Sequence, residues 1–424
     1  MKFITKIAKS YLFKITSLNS LSVILKIFSG LITSKLLAIF VGPSGMAIVG
    51  NLRNFVSSLE GVSTLGFQNG IVKYVTDNKS DKQELNRIIA TVFVTLLILA
   101  TILSTIIFFF SNYLNLQIFG LQSQYVFVIK ALAIALPWYG ISIFFLSVIN
   151  GLGRFKNVII INILGNILGL ITSIFLIYYL KTTGALLSVV VSPALLFFAS
   201  FYYLNTEIQI FKRLNFHDFD VEILKKLSAF SLMALFSAVF GPLVYLAIRK
   251  NIILNLGLVT AGYWESMTRI SSYYLLFVTT IISIYYLPKL IESKNNEETK
   301  NVFHSFYKFI LPIFVFGLIV IYFMRFFIIK ILLTKEFLPV TDLFFWQIIG
   351  DIIKVATLIL GYQFFAKKLI AAFIISEVLS LTVLYFSSIY LLKIFGIQGI
   401  VIAQTLDNFL YLLGLIIYFR KSLF

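Results

Sequence analysis

The strongest constraint in this sequence is a series of apolar runs, each at least 18 residues long and separated from the next by short polar segments. A helix needs about 20 apolar residues to cross the hydrocarbon core of a bilayer. Hydrophobic residues fill 60% of the 424 positions, more than a water-soluble fold of this size can bury. We therefore predict an all-α integral membrane protein with twelve transmembrane helices, near 18–41, 47–73, 86–110, 125–149, 157–180, 184–204, 228–248, 258–286, 304–324, 343–366, 369–392 and 397–419.

The composition also excludes several classes of protein. Only 12% of the residues are charged, which does not fit a soluble enzyme, a nucleic-acid-binding domain or a disordered chain. Cysteine is absent, which excludes disulfides and thiolate chemistry, and the two histidines, His217 and His304, do not suggest a metal centre. The sequence has no Gly-x-x-x-x-Gly-Lys-[Ser/Thr] loop and no long loop, which argues against an ATP-driven transporter and a membrane glycosyltransferase or polymerase.

Positive charge in the predicted loops sets the orientation. With the N-terminus inside, 20 Lys and Arg residues lie in cytoplasmic segments and 7, among them Arg249, lie in outer segments. Short cytoplasmic loops are typically enriched in Lys and Arg. We therefore predict that both termini are cytoplasmic.

The longest hydrophilic stretch, about 205–227, divides the predicted spans into six and six. We predict an N-terminal lobe at 1–204, a cytoplasmic linker at 205–227 and a C-terminal lobe at 228–424. A short internal echo is consistent with two related lobes, because an ionisable residue follows a glycine by three positions in the second and eighth spans. The two pairs are Gly50 with Arg53 and Gly262 with Glu265.

Ionisable residues inside the first six spans are mostly basic. A charge at the bilayer centre costs at least about 2.5–3.5 kcal/mol, so such residues must face one another, a wet cavity or an interface. The first six spans carry a net charge of +4, against −1 for the second six. A basic cavity of low dielectric favours an anion, and phosphate accepts charge-assisted hydrogen bonds from Lys and Arg. We predict that a polyanionic ligand is held by Arg53 together with Lys26 or Lys35, whose nine-residue spacing points them to opposite faces of a straight helix.

Acidic and polar residues also recur inside the spans. Glu265 and Arg269 are spaced four apart, as an ion pair on one helix face would be. Such pairs either fix helix packing or line a polar cavity, and both interpretations stay open. The residues kept as cavity or ion-coupling candidates are Glu60, Glu265, Arg269, Asp351, Lys354 and Asp407.

Three blocks of the sequence resemble the bacterial O-antigen and enterobacterial common antigen flippases. They are 26–75 (KIFSGLITSKLLAIFVGPSGMAIVGNLRNFVSSLEGVSTLGFQNGIVKYV), 227–291 with its SLMAL, AIRK and YYLPKL segments, and 342–378 (DLFFWQIIGDIIKVATLILGYQFFAKKLIAAFIISEV). The chain thus resembles a member of the multidrug/oligosaccharidyl-lipid/polysaccharide exporter superfamily. This resemblance implies two six-helix bundles around a central cavity.

The resemblance also implies a function. Such a protein is not an enzyme but a flippase that moves undecaprenyl-diphosphate-linked O-antigen repeat units from the cytoplasmic to the periplasmic leaflet of the bacterial inner membrane by alternating access. Its partners would be that lipid-linked oligosaccharide, membrane lipid and other O-antigen assembly proteins, with no nucleic acid. No cofactor is expected, and coupling to protons, sodium or membrane potential is left open. The alternatives are a flippase for the enterobacterial common antigen intermediate and a cation-coupled drug exporter of the same superfamily.

Overall fold

A computed structural model describes residues 11–120, 123–209 and 219–423. Regular structure within these ranges is helical throughout, with no strand among the residues described. The α-helices are α1 Tyr11–Phe40, α2 Gly42–Thr64, α3 Gln68–Asn78, α4 Lys82–Phe109, α5 Ser111–Phe119, α6 Val126–Gly151, α7 Phe155–Ile208, α8 Val221–Ile281, α9 Leu287–Glu292, α10 Asn296–Ser305, α11 Leu311–Phe323, α12 Arg325–Leu332, α13 Phe344–Lys367, α14 Ile370–Phe395, α15 Ile397–Tyr418 and α16 Arg420–Leu423. Two π-helical turns, Ile282–Tyr286 and Phe306–Ile310, precede α9 and α11, and 3₁₀ turns cover Ser123–Tyr125 and Lys335–Leu343.

The described part of the chain contains nine helical segments that are long and apolar enough to cross a membrane. Two of them, Phe155–Ile208 with 54 residues and Ser231–Glu292 with 62, far exceed the length of about 20 residues that one crossing needs. The prediction of a multi-helix membrane protein is confirmed. The count of twelve and the cytoplasmic termini stay predictions.

Both long segments are helical hairpins. In α7 the backbone leaves helical geometry at Lys181 (φ 50°, ψ −123°), inside the turn predicted between 180 and 184. Ser192 then lies within 3.5 Å of the carbonyl of Gly169, although 23 residues separate them. In α8 the break is at Gly257 (φ 85°, ψ 170°), a backbone conformation that glycine adopts readily. Each hairpin therefore supplies two antiparallel arms.

The predicted second span, 47–73, is wrong in its bounds. The helix α2 ends at Thr64, and α3 starts at Gln68 after a turn in which Leu65 and Gly66 have left-handed backbone (φ 50° and 64°). A Cβ at Gly66 would lie 2.8 Å from backbone atoms of α8, so only glycine allows this close approach. Because α2 contains many polar residues, it is not one of the nine segments that are apolar enough to cross a membrane.

The helices group into two compact units. The first comprises Met1–Leu36 and Asn51–Val239, and the second comprises Leu37–Gly50 and Phe240–Phe424. The first unit is built on a continuous apolar core to which five helices each contribute. Representative buried side chains, one from each of α3, α4, α6, α7 and α8, are Ile71, Ile89, Phe144, Leu204 and Leu227. The predicted lobes 1–204 and 228–424 and the linker 205–227 stay predictions.

In the second unit, α15 packs along both α13 and α14. Apolar side chains of α13, including Val355 and Ile359, are fully buried in this packing. An aromatic cluster closes one end, where the ring of Phe364 lies 6.0 Å from Phe373 and 5.6 Å from Tyr418. This arrangement positions the polar residues of all three helices.

Candidate functional site

The two candidate lysines lie on α1, which continues through Gly30 without a break. Because nine residues correspond to two and a half helical turns, Lys26 and Lys35 project from opposite faces. Lys26 is exposed, whereas Lys35 is partly buried and interacts with other groups. The helix therefore does not bring both lysines to the same face.

Arg53 and Glu60 lie on α2, about two turns apart. Both are partly buried, and Arg53 interacts with other groups. The positive charge of Lys26 acts on the Glu60 carboxylate, so these two residues are electrostatically coupled within the first unit. The backbone carbonyl of Glu60 also accepts a hydrogen bond of 2.9 Å from Thr64, near the end of α2. One lysine of the predicted set of cations is thus coupled electrostatically to a carboxylate.

The second unit contains a buried network of three charges. Arg249 donates to Glu265 Oε2 at 2.6 Å, and Arg269 donates through Nε to Glu265 Oε1 at 2.9 Å. Arg249 and Glu265 are 0% exposed and Arg269 is 6% exposed. The pairing of Glu265 with Arg269 was predicted from their spacing and is confirmed. The placement of Arg249 in an outer loop is wrong, because it lies inside α8 and balances a buried carboxylate.

Aromatic rings and glycines enclose this network. The guanidinium of Arg249 lies 5.1 Å from the ring of Trp264, which in turn stacks on Tyr245 at 5.6 Å. A Cβ at Gly50 would lie 2.6 Å from Glu265 Cδ, and one at Gly262 would collide with the backbone of Pro43. The two glycines of the internal echo therefore both serve close packing between α2 and α8.

A second polar network surrounds Asp351 on α13. Its carboxylate accepts hydrogen bonds from Ser271 at 2.7 Å, from Tyr274 at 2.5 Å and from Gln347 at 3.1 Å. Asp351 is 2% exposed. Lys354, one turn along α13, acts on Asp351 through its charge, while the direct hydrogen bonds come from hydroxyl and amide donors. Asp351 and Lys354, both candidates from the sequence, thus belong to a larger polar network.

Lys354 is also the electrostatic centre of three carboxylates from three helices. Its charge interacts with Asp351 on α13, Glu377 on α14 and Asp407 on α15, and with the Tyr245 hydroxyl. Asp407 is held by a 2.8 Å hydrogen bond from Ser380. Lys354 is thus coupled electrostatically to two other predicted candidates, Asp351 and Asp407.

The sequence of this chain is similar to a known protein family and to known relatives. Residues 12–294 match the family described as "Polysaccharide biosynthesis protein". The chain belongs to this family. Its similar relatives include the Lipid III flippases of Escherichia coli (strain K12) and Shigella flexneri, each 28% identical over 390 residues, which cover 89% of this chain and 91% of the relative.

Solved structures show how this family member is folded. An inward-facing multidrug resistance MATE family transporter of the MOP superfamily aligns with a TM-score of 0.75 at 16% identity, covering 94% of both chains. Lipid II flippase MurJ in an inward closed conformation aligns at 0.71 and 15% identity, covering 96% of this chain and 87% of that one. The chain therefore shares its fold with these two proteins, one described as a transporter and the other as a flippase.

Two charged residues of these polar networks, Arg249 and Glu377, were not identified from the sequence. Arg249 was counted with the loops because Lys250 follows it at the end of an apolar run. Glu377 lies inside the predicted span 369–392, but nothing in its own helix marks a partner, since the lysine that acts on it, Lys354, lies on α13. The charge balance could have indicated a missing cation, because the spans of the second lobe contain more acidic than basic residues.

Proposed function

We propose that this protein is a flippase for a lipid-linked oligosaccharide, moving it from the cytoplasmic to the periplasmic leaflet of the bacterial inner membrane. The observation that carries the proposal is the 28% identity to Lipid III flippases along nearly the whole of both chains. The superfamily fold and the multi-pass helical architecture are consistent with it. Transport by alternating access is part of the proposal.

The substrate we propose is the enterobacterial common antigen intermediate rather than an O-antigen repeat unit. O-antigen was the first expectation from the sequence. Both curated relatives are Lipid III flippases, that is, enterobacterial common antigen flippases, and this favours the alternative. The choice concerns the sugars alone, because undecaprenyl diphosphate would be the carrier in both substrates.

The cations of the first unit are proposed to hold the diphosphate. A guanidinium binds two phosphate oxygens at once, so Arg53 is the main candidate, with Lys26 or Lys35 adding charge. Glu60, which is coupled to Lys26, offers a carboxylate that competes with the substrate for this lysine. Such competition gives substrate binding a way to change the charge state around α2.

Energy coupling is proposed to use protons, sodium or the membrane potential, with no cofactor. The carboxylates that satisfy this role are Glu60 in the first unit and the Lys354-centred set in the second. Because Asp351, Glu377 and Asp407 all interact electrostatically with Lys354, a change in the charge of one alters the charge balance around this lysine. Other assembly proteins remain proposed partners only.

Complementation tests the proposal. The gene is expressed in one strain that lacks its enterobacterial common antigen flippase and in another that lacks its O-antigen flippase. We expect common antigen to be restored in the first strain. Restoration of O-antigen alone would overturn the substrate assignment. Failure in both strains, together with raised resistance to cationic drugs, would support the drug-exporter alternative.

A further inference from the structure

A large groove lies between α14 and α15 in the second unit, with the hydrogen-bonded pair Ser380 and Asp407 in its lining. Its volume is about 830 Å³, in the upper part of the range of about 300–1,000 Å³ typical of ligand sites. Most of its lining is aliphatic or aromatic, including Ile375, Leu379 and Leu410. These three side chains are also substantially exposed. The groove is thus an apolar surface, available to a ligand within the membrane-spanning part of the protein.

The shape of the groove suits a chain. Lining residues on α14 extend from Ile370 to Val383, a distance of about 20 Å along the helix. This covers about two thirds of the 30 Å thickness of a hydrocarbon core. The volume divided by this length gives a mean cross-section of roughly 40 Å², so the groove is long and narrow.

Charge distinguishes the two ends of the groove. Lys368 lines the end where α14 begins and is exposed. Asp407 lines the opposite end and is 7% exposed, held by the hydroxyl of Ser380. An anionic group is attracted at the Lys368 end and repelled at the Asp407 end. The groove therefore matches an amphiphile with an anionic head at Lys368 and an uncharged chain directed toward Asp407.

We propose that this groove binds the isoprenoid chain of the substrate, with its diphosphate beside Lys368. The inference rests on the proposed function and adds a second binding region to it. Lys368 belongs to the turn that the positive-charge bias assigns to the cytoplasmic side, where translocation is proposed to start. The groove would seat the lipid before its headgroup reaches Arg53.

Gly414 on α15 offers a direct way to fill the groove. It lines the groove, and a Cβ there would meet no atom within 4 Å. Gly414→Leu thus adds a side chain in open space, and leucine is the better helix former. Gly317 on α11 is also surrounded by open space but does not line the groove, so Gly317→Leu is a matched control.

The experiment uses the purified full chain in lipid nanodiscs with a diazirine-tagged undecaprenyl diphosphate as the probe. We expect labelling of α14 and α15 in the wild type and in Gly317→Leu, and at least fivefold less in Gly414→Leu. Unlabelled undecaprenyl diphosphate should compete, and phosphatidylglycerol should not. Equal competition by phosphatidylglycerol would identify bulk lipid, and undiminished labelling of Gly414→Leu would place the chain elsewhere; either result overturns the proposal.

A second variant tests the head position. Lys368→Gln should reduce the advantage of undecaprenyl diphosphate over neutral undecaprenol as competitors, whereas an unchanged ratio would exclude Lys368 from the head site. These binding measurements need no sugar and no transport. Failed complementation with intact groove labelling therefore counts against the proposed function, and successful complementation without groove labelling counts against the groove alone.

Discussion

Arg249 donates a 2.6 Å hydrogen bond to Glu265, and both side chains are completely buried. In a straight helix their separation of 16 positions would correspond to about 24 Å. The contact exists because Gly257 reverses the chain, so the two arms of α8 face each other. The Arg249–Glu265 pair is therefore evidence that α8 is a hairpin and that the charges buried in it are neutralised.

Loss of one partner from this pair should be severely destabilising. Glu265→Ala leaves two buried guanidinium groups without their shared carboxylate, and removing one member of a buried ion pair typically costs about 3–5 kcal/mol. We expect a large fall in melting temperature, measured by fluorescence-detected size exclusion after heating. The control is Arg154→Ala, which breaks the surface pair with Glu207 and should cost about 0.2–1 kcal/mol. Similar losses in the two variants would contradict the assigned burial.

Gly50 should not tolerate even a methyl group. Gly50→Ala places a Cβ 2.6 Å from Glu265 Cδ and 3.0 Å from Arg249 Cζ, so the buried network must shift. Overpacking of this kind typically costs about 1–3 kcal/mol. Gly361→Ala on α13 meets no atom within 4 Å and should be neutral or slightly stabilising. The same thermal assay compares them, and equal stability would refute the close approach.

Arg53 should matter for transport more than for folding. Arg53→Ala removes charge-assisted hydrogen bonds worth about 1.5–3 kcal/mol each, equivalent to roughly 10- to 100-fold in affinity for a diphosphate. We expect at least a tenfold slower restoration of surface antigen at equal protein level. The control is Lys130→Ala, an exposed residue on α6. Export by Arg53→Ala at the wild-type rate would exclude it from the anion site.

Lys354 should be coupled energetically to Glu377. Lys354→Met removes the cation that interacts electrostatically with Asp351, Glu377 and Asp407, so both stability and transport should fall. Adding Glu377→Gln removes one of these negative charges and should recover part of the loss. A double-mutant cycle on melting temperature measures this coupling, with exposed Lys308→Met as the control. Strict additivity of the two substitutions would show that the residues do not interact.

Apolar length and charge bias predict the membrane class well, because each helix in a bilayer must satisfy its own backbone. The turns at Lys181 and Gly257 coincide with, or lie next to, predicted boundaries for the same reason. The break after Thr64 escaped prediction because hydropathy does not register a glycine required by close packing against α8. Local sequence thus predicts spans better than it predicts helix ends.

In the candidate site, contacts within one helix could be predicted from the sequence, whereas contacts between helices could not. The pair Glu265–Arg269 is encoded at a spacing of four and could be predicted from one helix. The link from Arg249 to Glu265 depends on a chain reversal, and that from Lys354 to Glu377 depends on packing of separate helices. Neither pair has the spacing of three or four residues that places two side chains on the same face of one helix. Partners of this kind become visible once the fold is known.

The reversal at Gly257 has a consequence for biogenesis. If the first arm of α8 entered the bilayer alone, Arg249 would face hydrocarbon without its counter-ion, at a cost of at least about 2.5 kcal/mol. The arm that follows carries the carboxylate that cancels this cost. The two arms are therefore suited to leave the translocon together, because each carries the charge that neutralises the buried charge of the other.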